Sequence, residues 1–217
     1  MTVHYVIARY NEDTSWSEGL NKVLIYNKGQ DTIPNEYRKL PNVGRESHTI
    51  LTYIIEFYNN LPDVTVFAQG EFSYHYSFQK GDKDTPKKIL QNLAQSALAN
   101  GVSENFTFKL HYDVLVMDTN NWPVKIDQHL DYLKVTKTKN GAWMSFLDWF
   151  KMIFGSSFPN PALTCWNAIF AIRKDIILKQ PIEFYKYLLE HLEYNIHPIE
   201  AYYFERSWYY VFNPELL

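Results

Sequence analysis

The sequence predicts an α/β fold, a mixed sheet flanked by helices, as one domain over residues 1–217. Three observations point there. Val64-Thr65-Val66-Phe67-Ala68 is a short apolar run rich in β-branched residues, suited to a central strand. Before it, Ile50, Tyr53, Ile54 and Phe57 recur at helical spacing until Leu61-Pro62-Asp63 stops the helix, because proline cannot continue one. Residues 3–8 and 22–26 are two more apolar runs with a short polar piece between them, the spacing of a parallel strand–helix–strand start.

Taken in order, residues 3–8 form the first strand, and Arg9-Tyr10-Asn11-Glu12-Asp13 is a polar loop at its carboxyl end. Thr14 or Ser15 caps a short helix through Leu20, and residues 22–26 form the second strand, closed by Asn27-Lys28-Gly29. Residues 31–40 are polar, contain Pro34 and read as loop. The helix over 46–59 and the strand over 64–68 follow. Thr85-Pro86 opens a helix to about Ala99, with Asn100-Gly101 at its end. Residues 106–111 alternate as a strand or hairpin arm, 112–117 and 132–136 are further strand candidates, and 120–123 is irregular. Residues 143–154 form an amphipathic helix ended at Gly155, and Cys165–Ile172 reads as one buried strand. Pro181 opens a helix to about Glu193, His197-Pro198 breaks the chain, and residues 199–212 form a last, strongly aromatic helix.

Composition narrows the function. A formal net charge of −3 argues against nucleic acid, whose grooves call for a basic face. Cys165 is the only cysteine, so no disulfide forms within the chain, which fits a reducing, cytoplasmic setting. No signal-peptide pattern opens the sequence, and no apolar run approaches the roughly 20 residues that span a bilayer. With 17 Tyr, 14 Phe and 6 Trp, there are more rings than a core of this size commonly uses, and some can line a polar-ligand cleft.

Candidate site residues flank the helix–strand unit, since open α/β sheets gather ligands at the carboxyl ends of their strands. Asn42, Gly44, Arg45, Glu46 and His48 stand before it, and Gln69, Glu71 and His75 after it. Arg45 at a helix start can receive a phosphate; equally, Asn42 can cap the helix with Arg45 and Glu46 on its surface. Glu71, just past a buried strand, can hold a divalent cation against a diphosphate, or simply end the strand. Glu205, on the aromatic last helix, can act as a base; an internal salt bridge to Arg206, Arg173 or Lys174 is the other reading. Asp82 and Asp84 alternate with lysines in a turn and read as a solvated charge cluster. No zinc spacing and no GxSxG elbow occurs.

Three blocks carry a resemblance: VIARYNEDTSW; LPNVGRESHTILTYII with YNNLPDVTVFAQGEF; and CWNAIFAIRKDII with FERSWYYVF. They resemble a widespread family of small, poorly characterised domains that is similar to nucleotide-sugar-dependent glycosyltransferases of GT-A fold, including compact transferase domains of large algal viruses. The resemblance implies a donor site at Arg9, Tyr10, Asn11, Glu12, Asn42, Gly44, Arg45, Glu46 and Gln69. It implies a metal, Mn2+ or Mg2+, at Glu71. The aspartate–x–aspartate motif of such enzymes is replaced here by Gln69-Gly70-Glu71, with a single carboxylate. It implies an acceptor side at His75, Trp166, Arg206 and Trp208, with Tyr74 as a further ring, and Glu205 as catalytic base. The expected activity is inverting transfer of a sugar from a nucleotide-sugar to a glycan or glycoprotein hydroxyl. The alternative is a non-catalytic glycan- or nucleotide-binding domain of the same fold.

Overall fold

The computed structural model describes residues 1–104, 138–139, 144–159 and 162–217, with the backbone alone at 108–110, 116–117, 123–124 and Trp166. Its main sheet has five strands: β1 (Val3–Arg9), β2 (Val23–Asn27), β3 (Arg38–Lys39), β4 (Val64–Gln69) and, beyond four short strands, β9 (Phe170–Arg173). Those four are β5 (Phe108–Leu110), β6 (Val116–Met117), β7 (Pro123–Val124) and β8 (Ala162–Thr164), which pair as β5-β8 and β6-β7. The order is β3-β2-β1-β4-β9, with β9 antiparallel to β4 and the other pairings parallel. The mixed α/β sheet flanked by helices is therefore present. β3 lies within the stretch expected to be loop.

Alternation along the strands feeds two cores. On one face, Val6, Phe67, Phe170 and Ile172 meet α1 (Arg45–Phe57) and the C-terminal helices. On the other, Tyr5, Ile7, Val64, Val66 and Ala171 meet Leu90, Leu93, Ala94 and Ala97 of a helix over Thr85–Asn100. Each such valine, leucine, isoleucine or phenylalanine side chain, fully buried, is worth about 1.5–3 kcal/mol, and each alanine methyl less. Tyr53 joins α1 to the sheet: its ring lies edge-on to Phe67 at 5.6 Å, and its hydroxyl reaches His4 Nδ1 at 2.9 Å. Among the described residues the other α-helices are α2 (Ser73–Tyr76), α3 (Thr85–Asn100), α4 (Phe146–Phe154), α5 (Lys174–Ile177), α6 (Ile182–Glu190) and α7 (Ile199–Phe212).

Three expectations are corrected. The helix from Ser15 to Leu20 is a single 3-10 turn, Ser15–Ser17, tied down by the indole N–H of Trp16 donating to Gly70 O at 2.9 Å. The stretch Cys165–Ile172 is not one strand. Asn167 and Ala168 adopt φ of 67° and 52°, so the stretch holds a 3-10 turn, Trp166–Ala168, and only then the start of β9 at Phe170, while β8 ends before it at Thr164. Asparagine tolerates that left-handed region better than most residues. The helix expected over 143–154 is α4, Phe146–Phe154, which Ser145 caps by accepting the Asp148 N–H. The strand candidate at 132–136 and residues 120–122 of the stretch expected to be irregular lie outside the described residues, whereas Pro123, the last of that stretch, begins β7.

Candidate functional site

The connection from β1 to β2 passes the face that carries Trp16, whereas α1, which leads into β4, lies on the opposite face. The sheet therefore changes direction at β1, and a crevice opens at the carboxyl ends of β1 and β4, as at switch points generally. A cavity of about 410 Å³ occupies it. Its lining includes Arg9, Tyr10, Glu12, Asn42, Arg45, Glu46, Gln69 and Glu71, so residues nominated from three separate sequence segments converge on one cleft.

They differ in what they can offer a ligand. Arg45 enters the helix at φ 48°, after Gly44 at φ 62°. Its guanidinium donates from Nη1 to Tyr202 Oη at 2.9 Å and from Nε to Glu46 Oε2 at 3.4 Å, with its carbon 4.9 Å from the Tyr202 ring centre, and its side chain stays 36 % exposed. That leaves part of its donor fork available. Gly44 is fixed in place, because a Cβ there would lie 2.7 Å from Leu192 Cβ. Tyr10 is exposed at the cleft. Gln69 donates to Asn167 O at 2.7 Å.

Arg9 departs from its expected role. Nη1 donates to Asn27 Oδ1 at 2.6 Å and Asp31 Oδ1 at 3.0 Å, Nη2 to Asp31 Oδ2, and Nε to Glu12 O at 2.7 Å. A guanidinium has five N–H groups, and most are spent holding the loop after β1. Arg9 is thus a brace of the cleft rather than a ligand contact. Asn11 is another brace. It adopts φ 91°, accepts from Asp31 N at 3.4 Å, and packs so close to Gly29 that a Cβ there would sit 1.8 Å from its Oδ1.

Two carboxylates of the cleft, Glu71 and Glu12, are pre-positioned, and Glu205 lies outside the cavity lining. Glu71 Oε1 accepts the Ser73 N–H at 2.7 Å. Burial pushes its pKa up, but hydrogen bonds from Ser73 and Phe72 outweigh that and hold it below the usual range. Glu12 accepts the Tyr10 N–H and lies against Gly70, beside Glu71. Glu205 accepts the Asn167 N–H at 2.6 Å and pairs with Arg206 Nη1 at 3.3 Å. The salt bridge weighed for Glu205 is therefore present, and its partner is Arg206.

The acceptor side does not assemble as expected. Trp208 is fully buried, stacked between Phe204 and Phe212 at 5.4 and 5.8 Å, with no face left for a sugar. Arg206 is 2 % exposed and donates to Tyr202 O at 2.5 Å. His75 stands exposed on α2, outside the cavity, and Tyr74 beside it is 81 % exposed. The side chain of Trp166 lies outside the described residues. His48 and Cys165 are buried in the fold.

Lys28, Ile196 and His197 also line the cleft and were not nominated. Lys28 follows the carboxyl end of β2, so the strand-end rule applied to the second strand would have found it. Its Nζ donates to Val43 O at 2.6 Å and to Arg45 O. Burial pulls its pKa down to about 7, with Glu46 raising it and Arg45 lowering it. Among the described residues no helix is long and apolar enough to cross a membrane, and no group of three or more metal-type side chains converges.

A family model described as "Protein of unknown function (DUF3431)" matches residues 5–216. No curated protein and no solved structure matches the chain.

Proposed function

The chain belongs to the DUF3431 family, described only as proteins of unknown function, so its activity is read from its own cleft, and we propose that it is a nucleotide-sugar-dependent glycosyltransferase of GT-A type. One observation supports this above others. At the sheet's switch point, a part-exposed arginine, Arg45, shares one cavity with two fixed carboxylates, Glu12 and Glu71. Breaking a sugar–phosphate bond builds negative charge on the leaving diphosphate and positive charge on the sugar, and such a cavity offers charge of both signs.

In this reading Arg45 meets the diphosphate, and Tyr10 and Ile196 give the cleft its apolar surface for the nucleoside. Glu71, with Glu12 beside it across Gly70, would hold Mn2+ or Mg2+, hard cations that take oxygen ligands. When bound, that cation neutralises charge on the leaving group. The acceptor is a glycan or glycoprotein hydroxyl. Its oxygen bonds to the anomeric carbon as the sugar–phosphate bond breaks, its proton passes to Glu205, and the anomeric centre inverts. Among the described residues each Glu205 oxygen carries one hydrogen bond, and a carboxylate has lone pairs for about four.

A second reading, a non-catalytic nucleotide- or glycan-binding domain, is favoured by one fact: both Glu71 and Glu205 already serve backbone N–H groups. A thermal-shift panel of nucleoside diphosphates and nucleotide sugars, with and without manganese, tests the shared part, since a ligand that binds the native state raises its apparent stability. Manganese-dependent stabilisation that Glu71→Ala abolishes supports the metal role. Sugar transfer with an inverted product anomer, assigned by NMR, selects the enzyme. Nucleotide binding without transfer selects the binding domain, and no stabilisation by any nucleotide overturns both.

A further inference from the structure

Lys28 is the one cleft-lining ammonium among the described residues, and it is 5 % exposed. A buried charge is costly unless an opposite charge or full hydrogen bonding compensates it. Here the partners are two neutral oxygens, the carbonyls of Val43 and Arg45. Among the described residues no carboxylate lies within ion-pair distance of Nζ. An ammonium has three N–H groups. Two carbonyls use two of them, the third has no partner among the described residues, and Lys28 lines the cavity. The charges around it do not settle the matter internally: on α1, Arg45 opposes its protonation and Glu46 favours it, while His48 is itself pushed down by the Lys28 charge. Arg9, Tyr10, Glu12, Glu71 and His197 complete the charged or titratable lining of the same cavity.

An anion in the cleft would supply the missing counter-charge. We propose that Lys28 joins Arg45 as the direct anion contact of the cleft, and that the group they take is a diphosphate. The proposal deepens the nucleotide-sugar reading and rests on it for the diphosphate's source. It replaces Arg9, whose guanidinium is spent on Asn27, Asp31 and Glu12. It also carries a signature. Because burial holds Lys28 to about 7 in the free protein, an anion that stabilises the charged form must draw a proton from solvent as it binds above that pH.

Titration calorimetry at pH 8, with inorganic pyrophosphate and with UDP as probes, in two buffers of different ionisation enthalpy, tests this. The parent is expected to take up on the order of one proton per bound probe more than Lys28→Arg, which cannot lose its charge. Lys28→Met, with its melting temperature checked, is expected to bind both probes about 10- to 100-fold more weakly. Equal affinity of Lys28→Met and the parent overturns the proposal, as does equal proton uptake in the parent and Lys28→Arg. If Lys28→Met does not fold, the comparison with Lys28→Arg decides alone. Pyrophosphate binding that depends on Lys28, with UDP and other nucleotides no tighter, upholds the anion contact and removes the nucleotide. Binding of neither probe by the parent overturns both.

Discussion

The carboxylate of Glu205 accepts the backbone N–H of Asn167 at 2.6 Å, while Gln69, at the end of β4, donates to the carbonyl of the same residue at 2.7 Å. Asn167 and Ala168 both have positive φ, a conformation that costs non-glycine residues on the order of 1–3 kcal/mol each. Two side chains from different elements thus hold a strained turn that links the cleft to α7.

Glu205 therefore has a structural task besides the catalytic one proposed, and two variants separate them. Glu205→Gln keeps a side-chain oxygen for the Asn167 N–H but takes the counter-charge from buried Arg206, so it should cost about 1–3 kcal/mol. Glu205→Ala also leaves that N–H without its partner and should cost about 1–3 kcal/mol more. If Glu205 is also the base, Glu205→Gln should bind donor normally and transfer sugar about 10²- to 10⁴-fold more slowly in single turnover. Near-normal transfer by Glu205→Gln would leave the residue only its structural role.

Arg45→Lys keeps the charge at the cleft but loses the planar fork that reaches both Tyr202 and a ligand. Nucleoside diphosphate affinity should fall about tenfold, with the fold intact, as read by calorimetry. Affinity equal to the parent would return Arg45 to the role of clamping α1 to α7.

Gly44→Ala should be among the costly single-methyl changes in the molecule. The residue sits at φ 62°, and a Cβ would meet Leu192 Cβ at 2.7 Å and His48 Cβ at 2.8 Å. Left-handed strain and overpacking add to about 2–4 kcal/mol, measurable by urea unfolding. A loss below about 1 kcal/mol would mean that the α1 entry can shift, and that Arg45 is less firmly placed than the geometry implies.

Much of the fold was legible because burial leaves a period in the sequence. Ile50, Tyr53 and Ile54 repeat at helical spacing and are buried on α1; Val64, Val66 and Ala68 alternate with Phe67 across the two cores. The cleft was legible at the ends of β1 and β4, where polar residues follow apolar runs. Other features leave no such trace. Nothing at Arg9 shows that Asp31, 22 residues on, neutralises it. An apolar run like CWNAIFAI reports burial but not the sign of φ, so the break at Asn167 was hidden, although an asparagine inside the run was a usable warning. Residue type alone cannot separate a ring that binds a sugar from one in the core. The spacing of Phe204, Trp208 and Phe212, four residues apart on one helical face, was the better guide for Trp208.

The last prediction concerns acid stability. His48 is 3 % exposed, its Nδ1 makes no hydrogen bond among the described residues, and burial first, then the charge of Lys28, push its pKa down from 6.5 to about 4. In the unfolded chain the imidazole returns to its ordinary value, so between about pH 6.5 and 4 the unfolded state binds more protons than the native one. The stability that goes with a neutral His48 is therefore fully present above about pH 6.5 and is lost as pH falls through about 4. The slope approaches 1.4 kcal/mol per pH unit, for a total of about 3 kcal/mol. His4 and His191 are also lowered by burial and add to the same limb, whereas Glu200, raised by burial, works against it. The informative comparison is thus between variant and parent. His48→Gln, which cannot titrate, should show a visibly shallower fall in unfolding free energy from pH 7 to pH 4, followed by urea denaturation at each pH. Parallel curves for the two proteins would mean that His48 gains a proton in the native state as readily as in the unfolded chain.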